Sequence, residues 1–600
     1  MKRVWIVGLL LAACLGMAIY RFNSGQPARQ NVLLVTFDTT RADHIGAYGY
    51  RDALTPAMDD LAANGTLFER AYAPAPLTLP SHATMLTGLY PPEHGLHANG
   101  ESRLGTDMPT LAGVLKEAGY QTGAFVGSFV LAEKFGLSRG FNAYDDSMPG
   151  TSGGHTGGDH DHRQRSARDV TDQALQWLEQ HGRKPFFCWV HYYDPHHPYM
   201  PHTDSFGKKF ESHPYDAEIA FADSQLARLL KLLETRGLTD RTVVVVAGDH
   251  GESLSEHDEP THAYTVYDST IKVPLIIREG SFRAAHQRIT TPVSLVDVFP
   301  TVLECVGVNV PKQSPLARSL QPALRGNELS ARLCYSETEQ PWREGGWAPL
   351  HSIVDGNWKY IRTPRPELYD LKLDPNETAN LAETSPDRVR ELDDALAQME
   401  QRMETREAPM AGLTRNEERA LQSLGYVADG NRKTRKESPS ETLDIKDMLP
   451  WLQKAEAALV LMNKGNHVAA EPILQSVVDA VPTYAKAQCN LAICLAAQAR
   501  YNEAEPHFQV ALKLDPDSER LHEVLGITRL NQKRLEDARY HFEAAVRLAP
   551  ASEFSHLHLG NALQQMGKLA EARDHYETAL KLNPKFGPAH AALRSLLTPQ

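Results

Sequence analysis

The sequence predicts an α/β fold with a mostly parallel sheet covered by helices, then a small antiparallel C-terminal subdomain, then an all-α solenoid. Two observations carry this. Continuous apolar runs such as NVLLVTFD (31–38), PFFCWVHYYD (185–194) and TVVVVAGD (242–249) recur between helical patterns, and strands apolar at every position need cover on both faces. Further on, Pro482, Pro516, Pro550 and Pro584 are spaced 34 residues apart, as are Ala470, Ala504, Ala538 and Ala572, the mark of stacked helical pairs.

The chain opens on Lys2 and Arg3 followed by the apolar VWIVGLLLAACLGMAIY (4–20). Residues 1–22 read as an N-terminal membrane anchor or signal segment, with Leu11-Ala12-Ala13-Cys14 offering a lipobox-like alternative. The positive flank keeps the start cytoplasmic and places the catalytic and repeat domains outside the cytoplasm, in the cell envelope, with the bacterial periplasm the expected compartment. The formal charge of −13 and the lack of any long basic run exclude nucleic acid as a partner. The six cysteines show no CxxC spacing, which argues against a zinc module or a disulfide framework.

Residues 30–385 form the first folding unit. Its further strands include QTGAFVGS (121–128) and KVPLIIRE (272–279), and HSIVDGNWKYIRTPRPELYDLKLDP (351–375) reads as the antiparallel subdomain. The glycine- and histidine-rich GGHTGGDHDH (153–162) reads as a loop. Residues 386–450 are a helical extension and a linker, whose polar DGNRKTRKESPSET (429–442) implies separate cores on either side. Residues 451–598 are the repeats, closed by a capping helix. Small Ala492, Gly526 and Gly560 let paired helices approach, large Leu474, Phe508, Phe542 and Tyr576 fill the gaps, and each proline stops a second helix.

Three of the apolar runs end in aspartate: Asp38, Asp194 and Asp249. Ligands of open α/β sheets sit beyond the carboxyl ends of strands, so these acids converge on a candidate site. Asp38, Asp249 and His250, with the hydroxyl of Thr78, make a donor set suited to one divalent cation: Ca, Mg, Mn or Zn. Each residue alone also reads as an ordinary helix cap or turn former. Pro80 sets Thr78 at the start of the ATMLTG helix, where free amides favour an anion. A bound cation there stabilises the threonine alkoxide and makes Thr78 a nucleophile.

Together NVLLVTFDTTRADHIGAYGY, TLPSHATMLTGLYPPEHG, DPHHP, VVVVAGDHGESLSEHD and ELYDLKLDPNETANLA resemble a sulfatase-type domain of the alkaline phosphatase superfamily, and the C-terminal array resembles tetratricopeptide repeats. The resemblance implies an alkaline phosphatase-like fold, Asp38, Asp249 and His250 as metal ligands, and His196 and His262 in contact with the anionic group or leaving oxygen of the substrate. True sulfatases carry Cys or Ser, matured to formylglycine, where this chain has Thr78, and Arg where it has His82. Thr39 stands in place of their second aspartate. The same stretch is similar to nucleotide pyrophosphatase/phosphodiesterases, which have a threonine nucleophile; that likeness assigns Asn99 to a nonbridging oxygen and His82 to the substrate side. A second ion would draw on Asp194 with His197 and His262, although one ion is the simpler arrangement.

The leading reading is a metal-dependent hydrolase or transferase of anionic esters, phosphate esters or diesters ahead of sulfate, with a repeat arm that binds protein. Its alternatives are a sulfuric ester hydrolase and an inactive sulfatase-like scaffold acting through its repeats.

Overall fold

The computed structural model describes residues 29–148, 165–280, 286–413, 417, 421 and 443–597. The N-terminal apolar segment (1–22), the His-rich loop (153–162) and the polar linker (429–442) lie outside the described residues. Among the described residues no helix is long and apolar enough to cross a membrane.

The centre of the molecule is β1 (Asn31–Phe37), hydrogen-bonded in parallel to β5 (Phe186–Tyr192) on one side and β6 (Thr242–Gly248) on the other. Outward from β5 come β3 (Gln121–Val126) and β4 (Ala143–Asp145), also parallel. Beyond β6 lie antiparallel β7 (Lys272–Arg278) and β2 (Thr66–Tyr72), which pairs with short β8 (Gln287–Ile289) and β9 (Val293–Ser294). Every residue of β1, β5 and β6 is buried. Val32 and Leu34 enter the core on one face while Leu33, Val35 and Phe37 enter the other, as alternate residues of a doubly covered strand must. The expected mostly parallel, helix-covered sheet is therefore present.

The antiparallel subdomain is a four-stranded meander of β10 (Leu333–Thr338), β11 (Leu350–Asp355), β12 (Trp358–Arg362) and β13 (Glu367–Asp370). The helix Pro386–Arg402 buries Leu392, Leu396 and Met399 against its face. Buried Lys359 locks this sheet to the main one, pairing with Asp268 at 2.9 Å and Glu377 at 2.7 Å.

Antiparallel helix pairs follow from Ile445 onward, six residues earlier than the repeat pattern suggested, and end in the helix Gly587–Leu597. The second helices stop at Ala480, Leu514, Leu548 and Leu582, each two residues ahead of a periodic proline. A Cβ on Gly526 would lie 2.4 Å from the Phe542 ring, so the small and large positions of a unit are matched by steric necessity.

Separate cores were expected across the linker; the apolar core instead runs from the sheet through Trp347 and Tyr484 into the repeats as far as Leu525. The Trp347 and Tyr484 rings pack 5.2 Å apart. Tyr484 and Lys486 both bond Glu344, at 2.8 and 2.9 Å, and the Ala348 amide donates to the Leu443 carbonyl. A polar linker says nothing of where its far end docks, and here two aromatic rings bring the halves together.

Candidate active site

The site follows from strand register. Phe37 of β1 pairs with Tyr192 of β5 and Gly248 of β6, so Asp38 and Asp249 leave neighbouring strands at the same level. The Asp38 amide donates to the Tyr192 carbonyl at 2.8 Å and that of Asp249 to the Phe37 carbonyl at 3.1 Å, which holds both carboxylates on one edge. Both are fully buried.

Thr78 arrives from the helix Thr78–Thr87, whose N-cap Leu77 offers no side-chain acceptor. Asn99 supplies it from another loop, its Oδ1 accepting from the Leu79 amide at 2.8 Å. The helix ends at Gly88 (φ +68°), where a Cβ would lie 2.8 Å from the Phe299 ring. At the other end Thr78 Oγ1 stands 3.5 Å from Asp38 Oδ2 and 3.4 Å from His250 Nε2. His250 Nδ1 donates to the Gly251 carbonyl at 2.9 Å, which leaves the Nε2 lone pair directed to the Thr78 side.

Asp38, Asp249 and His250 place ligand atoms within 4.8 Å of one another. Asp38 Oδ1 and Asp249 Oδ2 are buried with no hydrogen-bond partner. Burial first, then the neighbouring acid (Glu252 for Asp38, Asp38 for Asp249), raises both carboxyls well above their ordinary range. Two adjacent desolvated acids with orphaned oxygens are strongly disfavoured as anions alone, and a divalent cation relieves both penalties. The donor set fits such an ion.

Of the residues expected on the substrate side, Asn99 lies at the start of the Thr78 helix, and His196 and His262 lie beside His250. Asn99 Nδ2 is buried with no partner, a donor held beside the first turn of the Thr78–Thr87 helix. The His262 ring lies 4.7 Å from that of His250 and 5.0 Å from that of His196. His262 Nδ1 meets Glu252 at 2.8 Å, and Tyr199 donates to the other oxygen of the same carboxylate. His196 stacks on Tyr193 and shares a 2.9 Å hydrogen bond with its hydroxyl. Burial pushes His262 down to about 3 and His196 well below its usual value, so both rings are neutral.

Three expected residues are placed otherwise. His82 sits beneath the helix rather than on the substrate side: Nδ1 donates to the Thr78 carbonyl at 2.8 Å and Nε2 accepts from Thr36 Oγ1 at 2.9 Å. Thr36 in turn accepts from the Trp189 indole, which fixes this tautomer. Asp194 turns away, both its oxygens accepting from the Ala167 amide, and it caps a helix instead of joining Asp38. His197 is exposed. Among the described residues neither belongs to a cluster of metal-competent side chains.

Sequence reasoning missed His191. In the middle of β5 nothing separates it from its apolar neighbours, yet it is fully buried with Nε2 3.3 Å from Asp38 Oδ2. Burial holds it near 3, so a neutral ring faces the carboxylate. It also groups with His82 and Asp249. Glu252, the orienter of His262, was legible only as part of DHGES.

Comparison with known proteins agrees with this architecture. Residues 30–308 match the sulfatase family, residues 262–408 the N-sulphoglucosamine sulphohydrolase C-terminal family, and residues 461–526 and 554–586 tetratricopeptide repeats. Arylsulfatase K of Xenopus laevis is 27% identical over 418 residues, 57% of this chain and 77% of the relative. Delta 4,5-hexuronate-2-O-sulfatase of Bacteroides thetaiotaomicron is 23% identical over 441 residues, 61% of this chain and 88% of the relative. The solved phosphonate monoester hydrolase of Agrobacterium radiobacter superposes with a TM-score of 0.52 at 23% identity, over 62% of this chain and 96% of its own. This chain therefore carries a sulfatase-family hydrolase domain of the alkaline phosphatase-like fold, joined to C-terminal tetratricopeptide repeats.

Proposed function

We infer that the protein hydrolyses, or transfers from, an anionic ester through a covalent intermediate on Thr78, with phosphate or phosphonate esters preferred to sulfate. The observation that carries this is Thr78 itself, at the head of a buried helix within 3.5 Å of Asp38 and 3.4 Å of His250. Asp38, Asp249 and His250 would hold a divalent cation, which when bound lowers the cost of the threonine alkoxide. Thr78 Oγ1 forms a bond to phosphorus as the bond to the ester oxygen breaks, and the threonine proton passes through solvent to that oxygen, which leaves as the alcohol. Asn99 Nδ2 donates to the nonbridging oxygen as charge gathers there, and His196 and His262 contact the anion and the leaving oxygen. Water attacking phosphorus releases phosphate and restores the threonine hydroxyl.

The threonine bears on substrate choice. A phosphothreonine is released by attack at phosphorus, whereas a sulfothreonine turns over poorly, and threonine cannot be matured to the aldehyde by which sulfatases expel sulfate. The sulfatase names of the relatives favour a second reading, sulfate-ester hydrolysis. Matched aryl phosphate monoester, phosphate diester and sulfate ester, assayed on one preparation, separate the two. Faster turnover of the sulfate ester overturns the first.

The apolar start of the chain supports a membrane-attached protein acting outside the cytoplasm, and the repeats support a protein partner. Protease protection of spheroplasts tests the first, and co-purification with and without the repeats tests the second.

A further inference from the structure

The helix Gln340–Gly345 lies between the catalytic residues and the repeats. At its start Glu339 faces His97 at 3.8 Å, two residues from Asn99. At its end Glu344 takes Tyr484 and Lys486 from the second repeat. Against it lies a cavity of about 180 Å³ whose walls come from both domains: Tyr264 and Glu344 on the catalytic side, Leu452, Glu456, Tyr484 and Leu521 on the repeat side. Tyr264 follows His262 by two residues, and two residues span at most about 7 Å of chain. The cavity wall and the catalytic cleft thus share one short loop. Thr338 pins that loop, its hydroxyl donating to the Ala263 carbonyl.

The lining has a definite chemistry. Aromatic and aliphatic side chains form one part of it, and Glu344, Glu456 and Asp515 stand against Lys486 and Arg520. Lys486 is committed to Glu344, with both carboxylate oxygens at 2.9 Å. Glu456, on the same lining as Glu344, is raised by desolvation and then by the Glu344 carboxylate, with Lys486 opposing. A cation placed beside it removes that repulsion. A polyanionic glycan would meet like charge.

We propose that this cavity between the domains is a substrate subsite for a polypeptide, taking an apolar segment with one Lys or Arg beside Glu456 while the esterified residue of the same polypeptide reaches Thr78. The proposal rests on the ester-hydrolase reading and assigns the repeats to the substrate itself instead of a separate partner. It also gives a use to the continuous core between domains, since a set distance between two places that hold one substrate raises the effective concentration at the second.

The test uses the full chain and separates binding from turnover. A fluorescein-labelled peptide with one lysine among leucines, read by anisotropy, should bind about tenfold more tightly than its lysine-to-glutamate counterpart, and Glu456→Lys should reverse the order. The unlabelled lysine peptide should compete with hydrolysis of a phosphoserine placed next to lysine in a peptide, and Leu452→Glu should lower the ratio of peptide-ester to aryl-ester kcat/KM. Equal binding of the two peptides, binding without competition, or tighter binding of a sulfated oligosaccharide overturns the proposal. Loss of hydrolysis of both phosphoserine and aryl esters with peptide binding intact would overturn the ester-hydrolase reading alone.

Discussion

Oγ1 of Thr78 stands 3.4 Å from Nε2 of His250, although the two are 172 residues apart in sequence. The contact arises because a helix start and a strand end meet over the carboxyl edge of the sheet. Thr78→Ala should therefore abolish turnover, while Thr78→Ser, which keeps the hydroxyl, should retain part of it. Asn99→Ala should lower kcat roughly 10²-fold if Nδ2 serves the developing oxyanion. Steady-state kinetics on an aryl phosphate check all three.

One cation per chain is expected, held by Asp38, Asp249 and His250. Chelation should remove activity, and Asp249→Asn should remove both metal and activity. Asp194→Asn should retain the metal and cost about 1 kcal/mol through the weakened cap on Ala167. Elemental analysis of the three proteins decides; two ions per chain, with one lost in Asp194→Asn, would restore Asp194 to the site.

How the sequence led and where it stopped is visible in these residues. Asp38 and Asp249 were legible because each ends an apolar strand, and register alone sets them side by side. Asp194 closes an apolar run of the same kind, yet its strand stops at Tyr192, one residue earlier than the pattern of the other two, and its carboxylate turns to the Ala167 amide, a long-range choice no local pattern records. His191 was hidden because a strand buried on both faces shows no alternation to single out a polar member. The meeting of Trp347 with Tyr484 is likewise a tertiary fact, with a polar linker between them.

His191 is expected to act as a positioning residue for Asp38. His191→Ala should weaken metal affinity 10- to 100-fold, the usual cost of removing a partner of a ligand. His191→Asn, which keeps a polar side chain beside Asp38, should recover part of that loss. Isothermal titration with Mn²⁺ or Ca²⁺ measures it apart from turnover, and unchanged affinity in His191→Ala would reduce the residue to packing.

Lys359 is buried between Asp268 and Glu377, and Lys359→Met should cost about 3–5 kcal/mol because it strands two buried acids. Burial raises the Asp268 pKa, but Lys359 and Lys272 outweigh it and hold it below its ordinary value. A depressed carboxyl contributes stability above its unfolded pKa and loses it as pH falls through the folded one. Burial pushes Glu377 up to about 7, which works in the opposite sense as pH rises. Thermal melts in acid should therefore show a loss of stability that is reduced in Asp268→Asn.

The central claim is a covalent intermediate on Thr78, and the direct measurement is acid-quenched peptide mapping after mixing the enzyme with a ³²P-labelled aryl phosphate. The account predicts label on the peptide containing Thr78, chased by excess unlabelled substrate and absent from Thr78→Ala. Full turnover with no label on that peptide, or an unimpaired Thr78→Ala, would contradict it.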